Sequence, residues 1–293
     1  MKLAAVLKTV NRKQLSESGR MLAFGSVPKL PEGTMELSVA RSDGVAVLTL
    51  NRPHSLNALT PALQFELLRL VEELAADDAV GAMILTGTGR AFCSGGDVKA
   101  MAEPQSTTIP QQVSNLLARQ QVIMALRQAP KVTIAAVNGI AMGAGLALAM
   151  ACDFRIAAEG ARFGAAYAKI GLTGDFGISW LLQQEIGAAR ARTMLLSAEA
   201  IDARLALEWG IVGEVVPAHA LMETAEALAR RYAEGPRLAH AAMKRNLLAV
   251  PTASLAEMLV LEAEHLVAAK QTADHKEAIA AFAEKRPPRF VGR

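Results

Sequence analysis

Two glycine-rich segments, each following a short run of apolar residues, constrain the fold of this chain more than any other feature. The first is Ser94-Gly95-Gly96-Asp97 and the second is Met142-Gly143-Ala144-Gly145. Small residues let two stretches of backbone approach closely, and a helix that begins there offers its free N–H groups to an anion. Taken singly, either segment fits a tight turn as well as a binding site. Together they favour a binding site built from two turns, each of which leads towards a helix.

The hydrophobic pattern predicts alternating strands and helices up to about residue 157. Thr60-Pro61 combines an N-cap hydroxyl with a proline at the first helical position, and leucines follow at helical spacing, which predicts a helix over 61–76. Asp97 is predicted to cap a short helix. The remaining predictions are strands at 35–40, 44–50, 82–85, 132–137 and 154–157, a helix at 111–128, and a Gly/Ala-rich helix that ends near Cys152.

The last third of the chain is predicted to be almost wholly helical from Ser179 onward. We divide the chain into a poorly ordered N-terminal extension (1–34), an α/β core (35–200) and a helical C-terminal subdomain (201–293). Within 253–283, apolar residues recur at helical spacing, which is typical of core or subunit contact rather than of a ligand site. These residues are Leu255, Met258, Leu259 and Leu266.

Composition limits the functions available to the chain. The 293 residues are 52% apolar and carry a formal charge of +3, which suits a globular protein and argues against a nucleic-acid partner. Cys93 and Cys152 lack metal-ligand or disulfide-scaffold spacing, so we expect no metal and a reducing, cytoplasmic location. The longest apolar stretch, 132–151, contains Asn138 and three glycines and therefore does not predict a membrane span.

Five blocks of sequence, in order along the chain, carry a resemblance to a known family. They are LTLNRPHSLNAL (48–59), ILTGTGRAFCSGGDVKAM (84–101), AAVNGIAMGAGLALAMACD (135–153), ARFGAAYAKIGLTGDFGISWLL (161–182) and FAEKRPPRFVGR (282–293). Over roughly residues 35–293 the chain resembles the enoyl-CoA hydratase/isomerase (crotonase) superfamily. The resemblance implies a crotonase-like ββα spiral core with a C-terminal helical trimerisation subdomain. It also implies an acyl-CoA thioester substrate, no tightly bound cofactor, and a homotrimer or hexamer.

The resemblance assigns roles to residues of the glycine segments and of the first block. The N–H groups of Gly96 and Ala144 are expected to form an oxyanion hole, which would stabilise the enolate of a thioester. Residues expected near coenzyme A are Arg52, His54, Ala58, Ser94, Gly95, Gly96, Asp97, Val98 and Lys99. Asp97 is interpreted as a helix cap rather than a catalyst. Lys285 and Phe290 are expected to reach the ligand of a neighbouring subunit.

The chain departs from the family's hydratases at both glutamates that activate water. Ala147 and Tyr167 occupy those positions. Alanine cannot transfer a proton, and a tyrosine is a poor base at neutral pH. Hydration by the usual pair of glutamates is therefore not expected.

Asp175 is the remaining candidate base and matches the aspartate of several double-bond isomerases in the superfamily. One carboxylate suffices to move a proton between two carbons, and the apolar Phe176, Ile178 and Trp180 would raise its pKa and exclude water. Asp175 could instead cap the next helix, and Tyr167 could line the acyl pocket or donate a hydrogen bond. The leading hypothesis is an acyl-CoA isomerase. The alternatives are a hydratase or hydrolase that uses Asp175 and Tyr167, and a non-catalytic acyl-CoA-binding relative.

Overall fold

A computed structural model describes residues 36–101 and 107–293 of the chain. The predicted N-terminal extension, 1–34, lies outside the described residues. Ten strands were identified in the described part: β1 (Leu37–Ser42), β2 (Val45–Leu50), β3 (Ala82–Gly87), β4 (Ala91–Cys93), β5 (Val132–Val137), β6 (Ile140–Met142), β7 (Phe154–Ala158), β8 (Arg162–Gly164), β9 (Ile201–Asp202) and β10 (Glu214–Val216). They form two sheets, in the orders β1-β2-β3-β5-β7-β10 and β4-β6-β8-β9.

Helices alternate with these strands and dominate the C-terminal part. Their bounds are α1 (Pro61–Ala76), α2 (Val98–Met101), α3 (Ile109–Gln128), α4 (Ala144–Ala151), α5 (Ile178–Ser197), α6 (Ala203–Trp209), α7 (Leu221–Ala233), α8 (Arg237–Ala249), α9 (Leu255–Ala269) and α10 (Ala273–Glu284). A 3-10 turn, Tyr167–Ile170, links β8 to the loop before α5. The mixed α/β architecture predicted from the sequence is confirmed.

The six-stranded sheet is covered on both faces, which explains why β5 is buried at every residue and apolar except at Thr133. One face packs against α7 through Leu221, Ala225 and Ala229, and the other packs towards α1, α3 and α4. Pairing is parallel from β2 through β10, whereas β1 pairs with β2 in an antiparallel hairpin. Parallel strands buried on both faces are expected to be apolar throughout.

Local signals predicted some elements closely. Helix α1 has the predicted bounds, and the Thr60 hydroxyl accepts a hydrogen bond from the Leu63 N–H at 3.2 Å.

The strands β4, β6 and β8 were missed from the sequence. Each has only three residues, which is too short to show a hydrophobic periodicity, and its formation depends on pairing with partner strands. The strands β9 and β10 likewise interrupt the part that was expected to be helical. Because β10 pairs with β7, residues near 214–216 belong to the main sheet, and the proposed division at residue 200 stays a prediction.

A buried lysine ties the C-terminal helices to the sheet. Lys244 on α8 donates to the carboxylate of Asp153 at 2.7 Å and to the carbonyl groups of Leu126 and Lys131 at 3.1 Å. The same Asp153 carboxylate accepts from the N–H and the hydroxyl of Thr133 on β5. The network therefore joins α8, the end of α3 and the strand β5.

Helices α9 and α10 keep most of their apolar side chains exposed. Met258 is buried, but Leu255, Leu259 and Leu266 are exposed by 59–76%, and Phe282 by 86%. The four exposed residues are therefore not core residues of the single chain. Their predicted contact with another subunit stays a proposal. Over 36–101 and 107–293, no helix combines the length and apolar character needed to cross a bilayer.

Candidate active site

The first glycine segment is aligned along the loop that precedes α1. The Leu59 N–H donates to the Gly95 carbonyl at 2.8 Å, and the Asp97 N–H donates to the Leu59 carbonyl at 3.2 Å. This parallel bridge uses the groups on either side of Gly96. The Gly96 N–H consequently points away from residue 59 and has no protein acceptor among the described residues. A donor in this state is available to a ligand.

The second glycine segment lies directly against the first. Gly143 has a φ of +53°, and α4 begins at the next residue, Ala144. A methyl group placed on Gly95 would lie 3.0 Å from the Met142 carbonyl oxygen and 3.6 Å from the Ala144 nitrogen. A methyl group on Gly145 would lie only 2.1 Å from the carbonyl oxygen of Cys93. The structure thus brings together the two segments predicted to form the oxyanion hole.

Asp97 caps the short helix α2, as predicted. Its Oδ1 accepts from the N–H groups of Lys99 and Ala100 at 3.1 and 3.4 Å, and its Oδ2 accepts from Arg52 at 3.1 Å. Burial opposes ionisation of Asp97, but the hydrogen bonds from Arg52 and the Ala100 N–H outweigh it and hold its pKa below the usual value. Asp97 is therefore ionised, and its carboxylate is occupied by hydrogen bonds to Arg52 and to the first turn of α2.

Arg52 is held by carboxylates on two sides. Besides Asp97, its guanidinium pairs with Glu36 at 3.1 Å and donates to the carbonyl group of Ala58. The positive charge of Arg52 is therefore already matched within the chain. Its contact with coenzyme A stays a prediction.

The other residues predicted to contact coenzyme A surround the same turn. His54, Val98 and Lys99 are exposed, Ser94 is half-buried, and Ala58 and Gly95 are buried. Their role in nucleotide binding stays a prediction.

Tyr167 and Asp175 form a hydrogen-bonded pair next to the second glycine segment. The Tyr167 hydroxyl donates to Asp175 Oδ1 at 2.7 Å. A methyl group on Gly143 would lie 3.5 Å from Cζ of Tyr167 and 3.7 Å from its hydroxyl oxygen. The pair is thereby placed beside the residue that precedes the Ala144 N–H. A hydroxyl group and a carboxylate therefore lie beside the turn that begins α4.

Asp175 does not cap α5 with its side chain. The N-cap residue of α5 is Gly177, without a side-chain cap, and only the backbone carbonyl of Asp175 accepts, from the Ile178 N–H at 3.1 Å. Phe176 and Ile178 are buried next to Asp175, as expected. Trp180 is 44% exposed, and Arg127 lies 4.8 Å above its ring. The expectation that Trp180 shields Asp175 from water is therefore not supported by its exposure.

Burial sets the protonation behaviour of the pair. It raises the pKa of Asp175, while the hydrogen bond from Tyr167 and the charge of Arg119 act in the opposite direction. Burial, followed by the adjacent Asp175 charge, raises the pKa of Tyr167 above its usual range. Cys93, also buried, has its pKa raised to about 12. Tyr167 and Cys93 are thus neutral at physiological pH, and Asp175 is the group of this cluster that can exchange a proton.

Ala147 and Tyr167, the residues expected to stand at the two hydratase glutamate positions, are both buried. Ala147 is fully buried within α4, one turn after Gly143. Within the described part of the chain, the carboxylate that contacts Tyr167 is that of Asp175. The arrangement supplies one carboxylate and one neutral donor rather than two carboxylates.

Three residues that shape the site were missed from the sequence. Asn57, fully buried with a φ of +56°, donates to the carbonyl groups of Thr88 and Ala91 and accepts from the Arg52 N–H. Gln120 on α3 accepts from the Phe176 N–H at 3.0 Å. Arg119 interacts electrostatically with Asp175. A lone asparagine in a loop and two polar residues on a long helix give no pattern that distinguishes them from surface residues.

Comparison with known proteins identifies the class of protein that this fold and site define. The family model for enoyl-CoA hydratase/isomerase matches residues 40–293. The chain is 36% identical over 251 residues to the 1,2-epoxyphenylacetyl-CoA isomerase of Escherichia coli (strain K12), covering 85% of this chain and 96% of the relative. It is 37% identical over 259 residues to the 2,3-dehydroadipyl-CoA hydratase of the same strain, covering 88% and 99%.

A crystal structure of an enoyl-CoA hydratase from Bacillus anthracis superposes with a TM-score of 0.83. The two chains are 32% identical, and the alignment covers 88% of this chain and all of the other. This chain belongs to the enoyl-CoA hydratase/isomerase family. The family resemblance and the crotonase-like fold predicted from the sequence are confirmed. Because relatives of similar identity are named isomerase and hydratase, the names alone do not select a reaction.

Proposed function

We propose that the protein isomerises an unsaturated acyl-CoA through an enolate, with Asp175 as the proton-transfer base. The observation that carries this proposal is the Tyr167–Asp175 pair beside Gly143. The expected replacement of the two hydratase glutamates by Ala147 and Tyr167 also supports it. Burial favours a carboxylate that both takes up and returns a proton, since its pKa is moved towards neutrality.

The reaction follows from the groups at hand. The thioester oxygen accepts hydrogen bonds from the Gly96 and Ala144 N–H groups, which meet the negative charge of the enolate. Asp175 takes a proton from the α-carbon of a 3-enoyl thioester, and the electron pair of that C–H bond forms a dienolate that extends over the β,γ double bond. The protonated Asp175 then returns the proton to the γ-carbon. The double bond has moved, the carboxylate is regenerated, and no water is consumed.

The substrate is expected to enter as a coenzyme A thioester across the loop 52–59 and the turn 94–97. His54 and Lys99 are exposed there and suit contact with phosphates, whereas Arg52 holds the loop to Asp97.

The exposed apolar side chains of α9 and α10 support assembly of three or six chains. Light scattering after size exclusion distinguishes these assemblies from a monomer.

A hydratase is the second candidate, because a relative of equal similarity carries that name and Tyr167 with Asp175 could position a water. The deciding experiment incubates the protein with trans-3-enoyl-CoA and with trans-2-enoyl-CoA in water enriched in heavy oxygen, followed by mass spectrometry. A shifted double bond without added mass supports the isomerase. Gain of labelled water by trans-2-enoyl-CoA contradicts it and favours the hydratase.

Asp175→Asn tests the role of the carboxylate. Removal of a general base typically costs about 10²–10⁴-fold in rate, so turnover of the active substrate should fall by that range while calorimetry shows retained acyl-CoA binding. Asp202→Asn is the matched control, because Asp202 caps α6 through the Leu205 N–H and asparagine caps equally well. Unchanged turnover in Asp175→Asn would exclude Asp175 as the base. Binding without turnover of either substrate by the unaltered protein would favour a non-catalytic acyl-CoA-binding relative.

A further inference from the structure

The turn that carries Asp175 adopts a backbone conformation that is unfavourable for its own sequence. Phe176 has a φ of +51°, although bulky side chains rarely adopt the left-handed region. Gly174 and Gly177 have φ values of +105° and +70°, which glycine adopts at little steric cost. The conformation around Asp175 must therefore be maintained by contacts from outside the turn.

Phe176 is held in this conformation at both its side chain and its backbone. The ring is 1% exposed and belongs to the hydrophobic core. The Phe176 N–H donates to Oε1 of Gln120 on α3 at 3.0 Å. Because a backbone N–H that is shielded from water loses free energy when its acceptor is removed, Gln120 opposes any change of the turn that would redirect this N–H.

The same turn sets the position of the proposed base relative to Tyr167. The Asp175 carboxylate accepts from the Tyr167 hydroxyl at 2.7 Å, and the Asp175 carbonyl accepts from the Ile178 N–H at 3.1 Å. A methyl group on Gly174 would lie 3.8 Å from Cδ2 of Tyr167, so the backbone that precedes Asp175 lies against the tyrosine ring. Rotation of the peptide between Asp175 and Phe176 would therefore change where the carboxylate lies beside Tyr167.

We infer that Gln120 is a positioning residue: by accepting from the Phe176 N–H, it keeps the adjoining peptide in the orientation that directs the Asp175 carboxylate towards Tyr167. The inference rests on the proposed function for its catalytic consequence, whereas the effect on the Tyr167–Asp175 contact can be measured without substrate. Misplacement of a reacting group by about 1 Å can cost about 10²-fold in rate, so loss of one hydrogen bond outside the site is expected to be measurable.

The first test uses fluorine NMR of protein that carries fluorinated tyrosine. The chain has two tyrosines, Tyr167 and Tyr232, so two resonances are expected, and Tyr167→Phe identifies which is which. Gln120→Met keeps the approximate length of the side chain but removes the amide oxygen. In this variant the Tyr167 resonance should shift or broaden, because its hydroxyl loses a fixed acceptor. The Tyr232 resonance should stay in place, since Tyr232 stacks on Phe154 instead.

Gln121→Met is the matched control. Gln121 is the next residue of α3, is exposed, and donates to the Leu117 carbonyl of its own helix at 3.2 Å, so neither tyrosine resonance should change. If Gln120→Met does not fold, Gln120→Ala removes the same acceptor and the same outcomes apply. An unchanged Tyr167 resonance in the Gln120 variant would overturn the inference, as would equal changes in the Gln120 and Gln121 variants.

Turnover of the active substrate tests the catalytic consequence. In Gln120→Met, kcat should fall by about 10- to 100-fold while KM changes little, because misalignment of Asp175 weakens transition-state stabilisation without altering substrate binding. Gln121→Met should keep both values. Unchanged kcat in Gln120→Met, in an enzyme that Asp175→Asn inactivates, would overturn the inference. Turnover that survives Asp175→Asn would contradict the proposed function alone, because the fluorine spectrum needs no substrate.

Discussion

The two halves of the site are held in different ways. The paired glycine segments, 94–97 and 142–145, are fixed by close contacts of backbone against backbone, and an added methyl group at Gly145 would meet the Cys93 carbonyl. The acid–base loop, which we define as residues 165–178, is held by a few side-chain contacts. Methyl groups on its Gly171 or Gly177 would meet nothing within 4 Å.

The two proposed tasks of the site, binding of the thioester carbonyl and proton transfer, therefore fall on parts of the chain that are held differently. The segments expected to bind the thioester oxygen cannot shift without disturbing the core, because β4 and β6 beneath them are paired and buried. The acid–base loop has open space around Gly171 and Gly177, although the positive φ of both residues strains any substitution at these two positions. Relatives named isomerase and hydratase on one fold are consistent with such a division.

The largest effect should follow from Gly145→Ala. The methyl group would lie 2.1 Å from a backbone oxygen that cannot move away, and we expect a loss of more than about 4 kcal/mol in the free energy of unfolding, measured by chemical denaturation. Gly160→Ala is the matched control, because nothing lies within 4 Å of its added methyl group. It should change stability by less than about 0.5 kcal/mol. Similar stabilities for Gly145→Ala and Gly160→Ala would contradict the claim that the glycine segments are fixed by close backbone contacts.

Asn57→Ala should rank next and tests how the first glycine segment is anchored. It removes the donor to the Thr88 carbonyl and one of the two donors to the Ala91 carbonyl, which keeps its hydrogen bond from Asn138, at a cost of about 2 kcal/mol in the free energy of unfolding. Asn57→Gly loses the same bonds but tolerates the positive φ, so it should be less destabilised than Asn57→Ala by about 1 kcal/mol. Equal stability of Asn57→Ala and the unaltered protein would show that the anchor is dispensable.

Tyr167→Phe should have the smallest effect and acts on the acid–base loop. Loss of the hydrogen bond to Asp175 removes one factor that lowers the pKa of the carboxyl group, so the pKa rises further. A base is active above its pKa, hence the acid limb of kcat/KM should move to higher pH, with a loss on the order of tenfold at neutral pH. Thermal unfolding should change little. An unmoved limb would mean that Tyr167 only lines the pocket.

The sequence predicted those parts of the molecule that depend on neighbours along the chain. Helix α1 was predicted to the residue because its cap and proline are local signals. The two glycine segments were found by the same local logic. The sequence left open whether Asp175 caps α5, because its side chain instead accepts a hydrogen bond from Tyr167 and that contact depends on tertiary packing. Arg119 was missed because nothing in the sequence shows which face of α3 meets the loop.

The buried Lys244 sets an order of assembly for the chain. Its three acceptors lie 91, 113 and 118 residues earlier, so its ammonium group cannot be satisfied before α3, β5 and Asp153 are in place. During synthesis, domains fold from the N-terminal side as the chain emerges, and contacts of such long sequence separation form last. We therefore expect α8 to pack only after α3 and β5 have folded. The helices α9 and α10, which follow α8 and expose apolar side chains, would then pack last.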